Sequence, residues 1–148
     1  MWSTEYTRET PLAPEAVWAA LRDLHTGTKL SERSNAIEIH GPFAVGTEMS
    51  VTPEGQEDPL RSTIVELVDG AIYTDQTEFN GLILRNRHSL TPLANGGTLI
   101  THCLEIDGPA ADDVGPELGP RISEDFPADM DDLVAAASRP GRIAHTNN

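Results

Sequence analysis

Cysteine, aromatic rings and basic side chains are all scarce in this chain of 148 residues, and no apolar run is long. Cys103 is the single cysteine, which excludes an intramolecular disulfide and leaves no thiolate set for a metal. Its place in a strand-like run marks a small packed residue, not a nucleophile. Lysine and arginine number 10 against 24 aspartates and glutamates, a formal net charge of −14. That balance argues against nucleic acid and anionic membrane as partners, because both are neutralised by Lys and Arg. Aromatic residues make up 5% of the chain, so few large rings are available to fill an interior. No apolar run approaches a membrane span. Met1-Trp2-Ser3-Thr4-Glu5 lacks the basic and then apolar pattern of a signal peptide. The expectation is an acidic, cytoplasmic protein with no nucleic-acid and no membrane partner.

What is present reads as one α+β domain over residues 1–138, with a loose Pro- and Gly-containing tail over 139–148. Ser3–Glu9 alternates like a strand. Pro14 and Glu15 open a helix whose stripe is Val17, Trp18, Leu21 and Leu24, ending near Asp23; Trp18 is read as core packing. His25–Asn35 is polar and holds a turn or a short second helix. Strand-like runs follow at Ala36–His40, Gly46–Thr52, Leu60–Val68, Ala71–Phe79, Leu82–Leu93 and Thr98–Asp107. Asp69-Gly70 and Asn80-Gly81 are tight-hairpin signals, so the runs form an antiparallel meander. A helix from about Glu117 to Ala137 carries Leu118, Ile122, Phe126, Met130, Leu133, Val134 and Ala137 on one side. Pro127 removes a backbone donor there and predicts a kink or restart near Asp125. Glu124, Asp125, Asp129, Asp131 and Asp132 read as its solvated face.

This order resembles that of the START-like, or Bet v 1-like, superfamily, in the bacterial polyketide cyclase/SRPBCC group. The residues that carry the resemblance begin with Pro14–Leu24 and Gly41-Pro42-Phe43 with Val45-Gly46-Thr47. They continue with Arg87–Leu93, Gly96-Gly97-Thr98, and Thr101-His102 with Glu105–Pro109. The resemblance implies a helix-grip fold: a seven-stranded antiparallel sheet around a long C-terminal helix, two short N-terminal helices and a central cavity. It also implies binding of lipids, sterols, polyketides or hormones, or in some members cyclisation or dehydration, in a monomer or homodimer. No catalytic set transfers residue by residue.

Strand alternation then nominates the cavity wall. In Leu82–Leu93 the apolar set includes Leu84, Asn86 and His88; in Thr98–Asp107 it includes Ile100, His102 and Leu104. In Ala71–Phe79, Tyr73, Asp75, Thr77 and Phe79 share a face, taken as inward because it holds both aromatics. The other parity would place Thr74 and Gln76 there. If Asp75 faces inward it can pair with a histidine and raise its pKa. Met49 and Val51 are further wall residues, and Phe126 and Met130 reach in from the helix. Metal is not expected, since the two histidines and Asp75 lack the local spacing of a metal motif. No cofactor is expected either: Gly96-Gly97 closes a hairpin and no helix follows it.

Two functions of different class follow. One is binding of a small hydrophobic or aromatic molecule, lipid- or polyketide-like, in the cavity. The other is a polyketide cyclase/aromatase- or dehydratase-like enzyme with His88 or His102 as general base and Asn86 or Tyr73 as donor. Histidines and a donor converging on one open volume favour the enzyme. Histidines bonded to the backbone or to each other favour binding or packing. A third class, a protein-interaction module, predicts a filled interior.

Overall fold

The computed structural model describes residues 1–32, 34–53 and 55–139. Seven strands form one antiparallel sheet: β1 (Trp2–Thr10), β2 (Ala36–Ile39), β3 (Glu48–Thr52), β4 (Leu60–Val68), β5 (Ile72–Phe79), β6 (Leu82–Pro92) and β7 (Thr98–Asp107). Their order across the sheet is β1-β7-β6-β5-β4-β3-β2. Strands β2 to β7 are thus a meander, and β1 closes on β7 with Trp2 opposite Ile106 and Thr10 opposite Thr98. The β5–β6 hairpin turns through Asn80 and Gly81, at φ 49° and 78°. Both positions need left-handed backbone, which is why Asn-Gly stands there.

Three helices accompany the sheet: α1 (Pro14–His25), α2 (Ala111–Ser123) and α3 (Phe126–Ala137). Helix α1 packs on α3, and α2 packs on β1 and β7. The main core joins Val17 and Leu21 of α1, Met49, Ile64, Tyr73 and Ile100 of the sheet, and Met130 and Leu133 of α3. A second core under α2 joins Leu82, Leu104, Ile106, Ala111 and Phe126, with Trp2, Leu118 and Ile122 against it. Trp18 is 7% exposed, packs in the main core, and its indole N–H donates to Asp69 Oδ1 at 3.1 Å.

Two expectations are corrected. Among the described residues there is one N-terminal helix, not two. Helix α1 closes at Thr26 and Gly27, with the Thr28 amide donating back to the Asp23 carbonyl at 2.8 Å. The polar residues beyond it offer no apolar stripe for a second helix to bury. The C-terminal helix is also longer than expected, while the restart expected near Asp125 is there. It starts at Ala111, breaks at Glu124–Asp125, and restarts with Pro127 in the first turn of α3, where its missing N–H leaves no bond unmade.

The early part of α2 escapes hydrophobic periodicity because glycines supply its buried face. A Cβ on Gly119 would lie 2.1 Å from Trp2 Cζ3, and one on Gly115 2.5 Å from Trp2 Cβ. The Trp2 ring therefore lies directly on the helix backbone. The expected tail lies, apart from Arg139, outside the described residues. Arg139 itself donates from Nη2 to the Leu30 carbonyl at 3.1 Å. Among the described residues no helix is long and apolar enough to cross a membrane.

Candidate functional site

The sheet register builds a row of rings. Antiparallel pairing sets Tyr73 opposite His88, His88 opposite His102, and His102 opposite Tyr6. Directly opposed side chains on one face stand within contact distance. His88 and His102 stack at 4.0 Å between centroids, and Phe126 of α3 stacks on the other face of His102 at 3.8 Å. On the opposite flank His25, the last residue of α1, lies 4.0 Å from the Tyr73 ring and 5.8 Å from His88. Phe43 stacks on Tyr73 at 5.7 Å. Six rings thus run from Phe43 through Tyr73, His25, His88 and His102 to Phe126.

A pocket of about 620 Å³ opens alongside this run, between the sheet, α1 and α3. Of the residues nominated from sequence, His88, His102, Asn86, Asp75, Leu84, Phe126 and Met130 line it. Thr77 and Val51 line it as well. Tyr73, Met49, Ile100 and Leu104 do not. Each is 0% exposed, packed between the sheet and its neighbours, so the inward parity places them in the core instead of on the wall.

The Tyr73 parity holds for β5, but Phe79, at the strand's far end, is 42% exposed and outside the pocket. Thr74 is buried on the opposite side of the sheet, where its hydroxyl donates to Glu66, which Arg87 also meets. The acidic face of α3 is divided rather than uniformly solvated. Asp125, Asp129 and Asp132 line the pocket, Ser31 donates to Asp132 at 2.9 Å, and Asp131 pairs with Arg8.

His25 is the site residue that strand alternation missed. It continues the α1 stripe of Val17 and Leu21 by one further turn, so helical spacing carried the signal. Its Nδ1 lies 2.8 Å from the Leu21 carbonyl. A carbonyl accepts only, so Nδ1 carries the proton and Nε2 presents a lone pair. That lone pair faces Asp75, with Nε2 3.9 Å from Oδ2, beyond hydrogen-bond reach. Oδ2 accepts instead from the Tyr73 hydroxyl at 2.9 Å. His102 Nε2 meets Asn86 Oδ1 at 3.1 Å, and His88 Nδ1 is buried with no partner.

Burial dominates the titration of these groups. It pushes His25 down to about 4 and His102 down to about 3, and holds His88 well below the usual imidazole range, with His102 and His25 adding to it. Burial pushes Asp75 up to about 6, against the bond from Tyr73. It also raises the Tyr73 phenol, helped by Asp75 beside it. The expected rise of a histidine paired with Asp75 is therefore corrected. The neighbour is His25, 3.9 Å away, and its desolvation outweighs the raising effect of its bond to the Leu21 carbonyl. At neutral pH all three imidazoles are uncharged hydrogen-bonding groups.

Among the described residues no three His, Cys, Asp or Glu side chains come together in a group that could hold a metal ion. Cys103 is half-buried with its pKa raised, first by burial and then by Glu105 and Glu5. That thiol is a poor nucleophile.

A seven-stranded antiparallel sheet with a bent C-terminal helix and one N-terminal helix is the Bet v 1-like fold. A family model for polyketide cyclase / dehydrase and lipid transport proteins matches residues 1–138, and the chain belongs to that family. It is similar in structure to a protein from Nitrosomonas europaea, with a TM-score of 0.67 at 18% identity over 90% of this chain and 92% of the other. It is also similar to Ara h 8.0201, with a TM-score of 0.65 at 21% identity over 93% and 99%. Norcoclaurine synthase from Thalictrum flavum is a third, with a TM-score of 0.62 at 16% identity over 89% and 83%. At these identities the likenesses establish the fold. No curated protein matches the chain.

Proposed function

We propose that this protein binds a small hydrophobic or aromatic molecule in the pocket between the sheet, α1 and α3. One observation carries the reading: a volume of about 620 Å³ stays open beside the ring row, where His25 is bonded to the backbone, His102 to Asn86, and His88 stacks on His102. The wall mixes twelve apolar with thirteen polar side chains, which gives a ligand both an apolar bed and polar groups to orient it. His88, His102, Asn86, Asp75, Leu84, Phe126 and Met130 are the proposed ligand contacts. The open volume also speaks against an interaction module with a filled interior. We further propose a monomer or homodimer, as the family resemblance implies, working in the cytoplasm.

The family keeps a second reading in view, a cyclase- or dehydratase-like catalyst with a cavity histidine as base. His88 Nδ1, buried without a partner, supports it. The lowered pKa values of His88 and His102 weaken it, because a base works best near the operating pH.

Native mass spectrometry of the purified protein tests the binding reading. A one-to-one adduct is expected, either co-purified or formed with added 1-naphthylmethanol, and lost on acid denaturation. Thr77→Trp, which fills the wall, should abolish it. A protein that carries nothing and takes up no naphthalene alcohol sinks the reading.

A further inference from the structure

The buried acceptors at the pocket, the Asp75 carboxylate and His25 Nε2, face no cation among the described lining residues, whose donors are neutral hydroxyls and amides such as those of Asn35, Gln56, Thr77 and Asn86. Asp75 lines the pocket with a side chain 12% exposed, and its one bonded oxygen accepts from Tyr73. His25 turns the lone pair of Nε2 toward that carboxylate, since its only N–H is given to the Leu21 carbonyl. His88 Nδ1 lies nearby in the ring run, buried and unpartnered. Among the described lining residues there is no lysine and no arginine. Buried carboxylates are ordinarily paired with a cation or surrounded by donors, because desolvation otherwise works against the charge. Among the described residues Asp75 has one donor, the Tyr73 hydroxyl, and no lysine or arginine beside it. An imidazole lone pair 3.9 Å from a carboxylate oxygen is likewise not an arrangement that stabilises the empty site. Both become favourable when one donor-rich cation sits between them.

We infer that the ligand carries a protonated amine, seated between the Asp75 carboxylate and His25 Nε2, with its apolar body along Leu84, Phe126 and Met130. An ammonium brings three N–H donors, enough for Asp75, His25 and a third acceptor. The neighbouring aromatic faces favour the same charge sign. A carboxylate ligand, such as a fatty acid, meets the like charge of Asp75 and no lysine or arginine among the described lining residues, and is disfavoured by the same groups. This assignment rests on the proposed binding function and narrows it to a class of ligand.

Three probes with one shared body separate the two claims: 1-naphthylmethylamine, 1-naphthylmethanol and 1-naphthoate, titrated into the full chain at pH 7.5 by calorimetry. The amine is expected to bind about tenfold or more tightly than the alcohol, as a charge-assisted bond implies, and the naphthoate more weakly than either. Asp75→Asn, which keeps the side-chain shape, should bring the amine down to the alcohol's affinity. A single cooperative urea transition for Asp75→Asn reports that the variant is folded, so that a lost amine preference is read at the pocket. Equal binding of amine and alcohol by the natural chain overturns the inference and leaves the pocket standing. An amine preference that survives Asp75→Asn overturns the role given to Asp75. Failure of all three probes overturns the pocket reading and the inference together.

Discussion

The two halves of the inner sheet face follow one alternation and end in opposite states. Under α2 the face is sealed: Leu82, Leu104 and Ile106 meet Ala111, and Trp2 lies on bare backbone at Gly115 and Gly119. Under α1 and α3 the same strands present Asn86, His88, His102 and Asp75 to an open volume. The strands do not decide this difference, since β6 and β7 serve both halves. The helices do. Helix α2 removes side chains so that a ring can approach its axis, while α1 and α3 keep large side chains that pack on each other and leave the space beside them. Phe126 marks the border, packing with the sealed core and stacking on His102 at the pocket. The half under α1 and α3 thus carries both the main core and the open volume, while the half under α2 is packed around Trp2.

Acid gives the largest break in that contrast, and it falls on the open half. His25 and His102 have folded pKa values of about 4 and about 3, below the ordinary 6.5, and His88 is lowered as well. Groups lowered this way stabilise the fold above their unfolded pKa, and that stability is lost as pH falls toward the folded values. Asp75, raised to about 6, acts in the opposite sense. Between about pH 4.5 and 6 the unfolded chain binds roughly three imidazole protons and the folded chain roughly one, on Asp75. Stability should therefore fall by about 2–3 kcal/mol per pH unit on acidification. Urea unfolding at several pH values measures this, and a flat profile over that window would refute the neutral-imidazole assignment.

Phe126→Ala comes next, with a loss of about 3–5 kcal/mol in urea unfolding, because a ring 3% exposed leaves a hole on the border. It should also weaken ligand binding. Gly119→Ala is confined to the sealed half. Its Cβ meets backbone-anchored indole carbons, so a loss of about 1–3 kcal/mol is expected with ligand affinity unchanged. A change in affinity there would show that the two halves are not independent.

Legibility in the sequence followed the same division. Strand bounds were readable because alternation and Asn-Gly or Asp-Gly turns are local, and β7 alternates buried and part-exposed over all ten of its residues. The pairing of His88 with His102 was readable only as a shared face; their stacking depends on register, which pairs residues 14 apart in sequence. The start of α2 was hidden because its buried face is glycine and the hydrophobic partner is Trp2, more than a hundred residues away. His25 was hidden because it ends a helix and joins a site made by strands. Tyr73 and Met49 were placed on the right face, yet alternation cannot tell core from wall. Depth depends on what packs above them: Phe43 and His25 over Tyr73, and the Tyr73 hydroxyl 3.6 Å from the Met49 sulfur.

The smallest effect is the most diagnostic, since it has the opposite sign to the rest. A carboxyl whose folded pKa lies above its unfolded one stabilises the fold when protonated and loses that contribution as pH rises through about 6. At pH 7.5 the charge of Asp75 therefore works against the fold, by at most about 3 kcal/mol for a rise from 3.8 to about 6. Asp75→Asn removes the charge and keeps an acceptor for Tyr73. Part of the gain is lost because a neutral amide oxygen accepts a weaker bond than a carboxylate. The variant should be more stable than the natural chain by about 1–2 kcal/mol at pH 7.5, and equal to it near pH 4 where Asp75 is already protonated. Urea unfolding at the two pH values measures both arms. A residue that lowers stability while lining the pocket is held for what it does there, because activity and stability trade against each other at functional sites. If Asp75→Asn destabilises at pH 7.5, the carboxylate is a structural partner of Tyr73, and the contrast between a closely packed half and an open half with its own chemistry loses its strongest support.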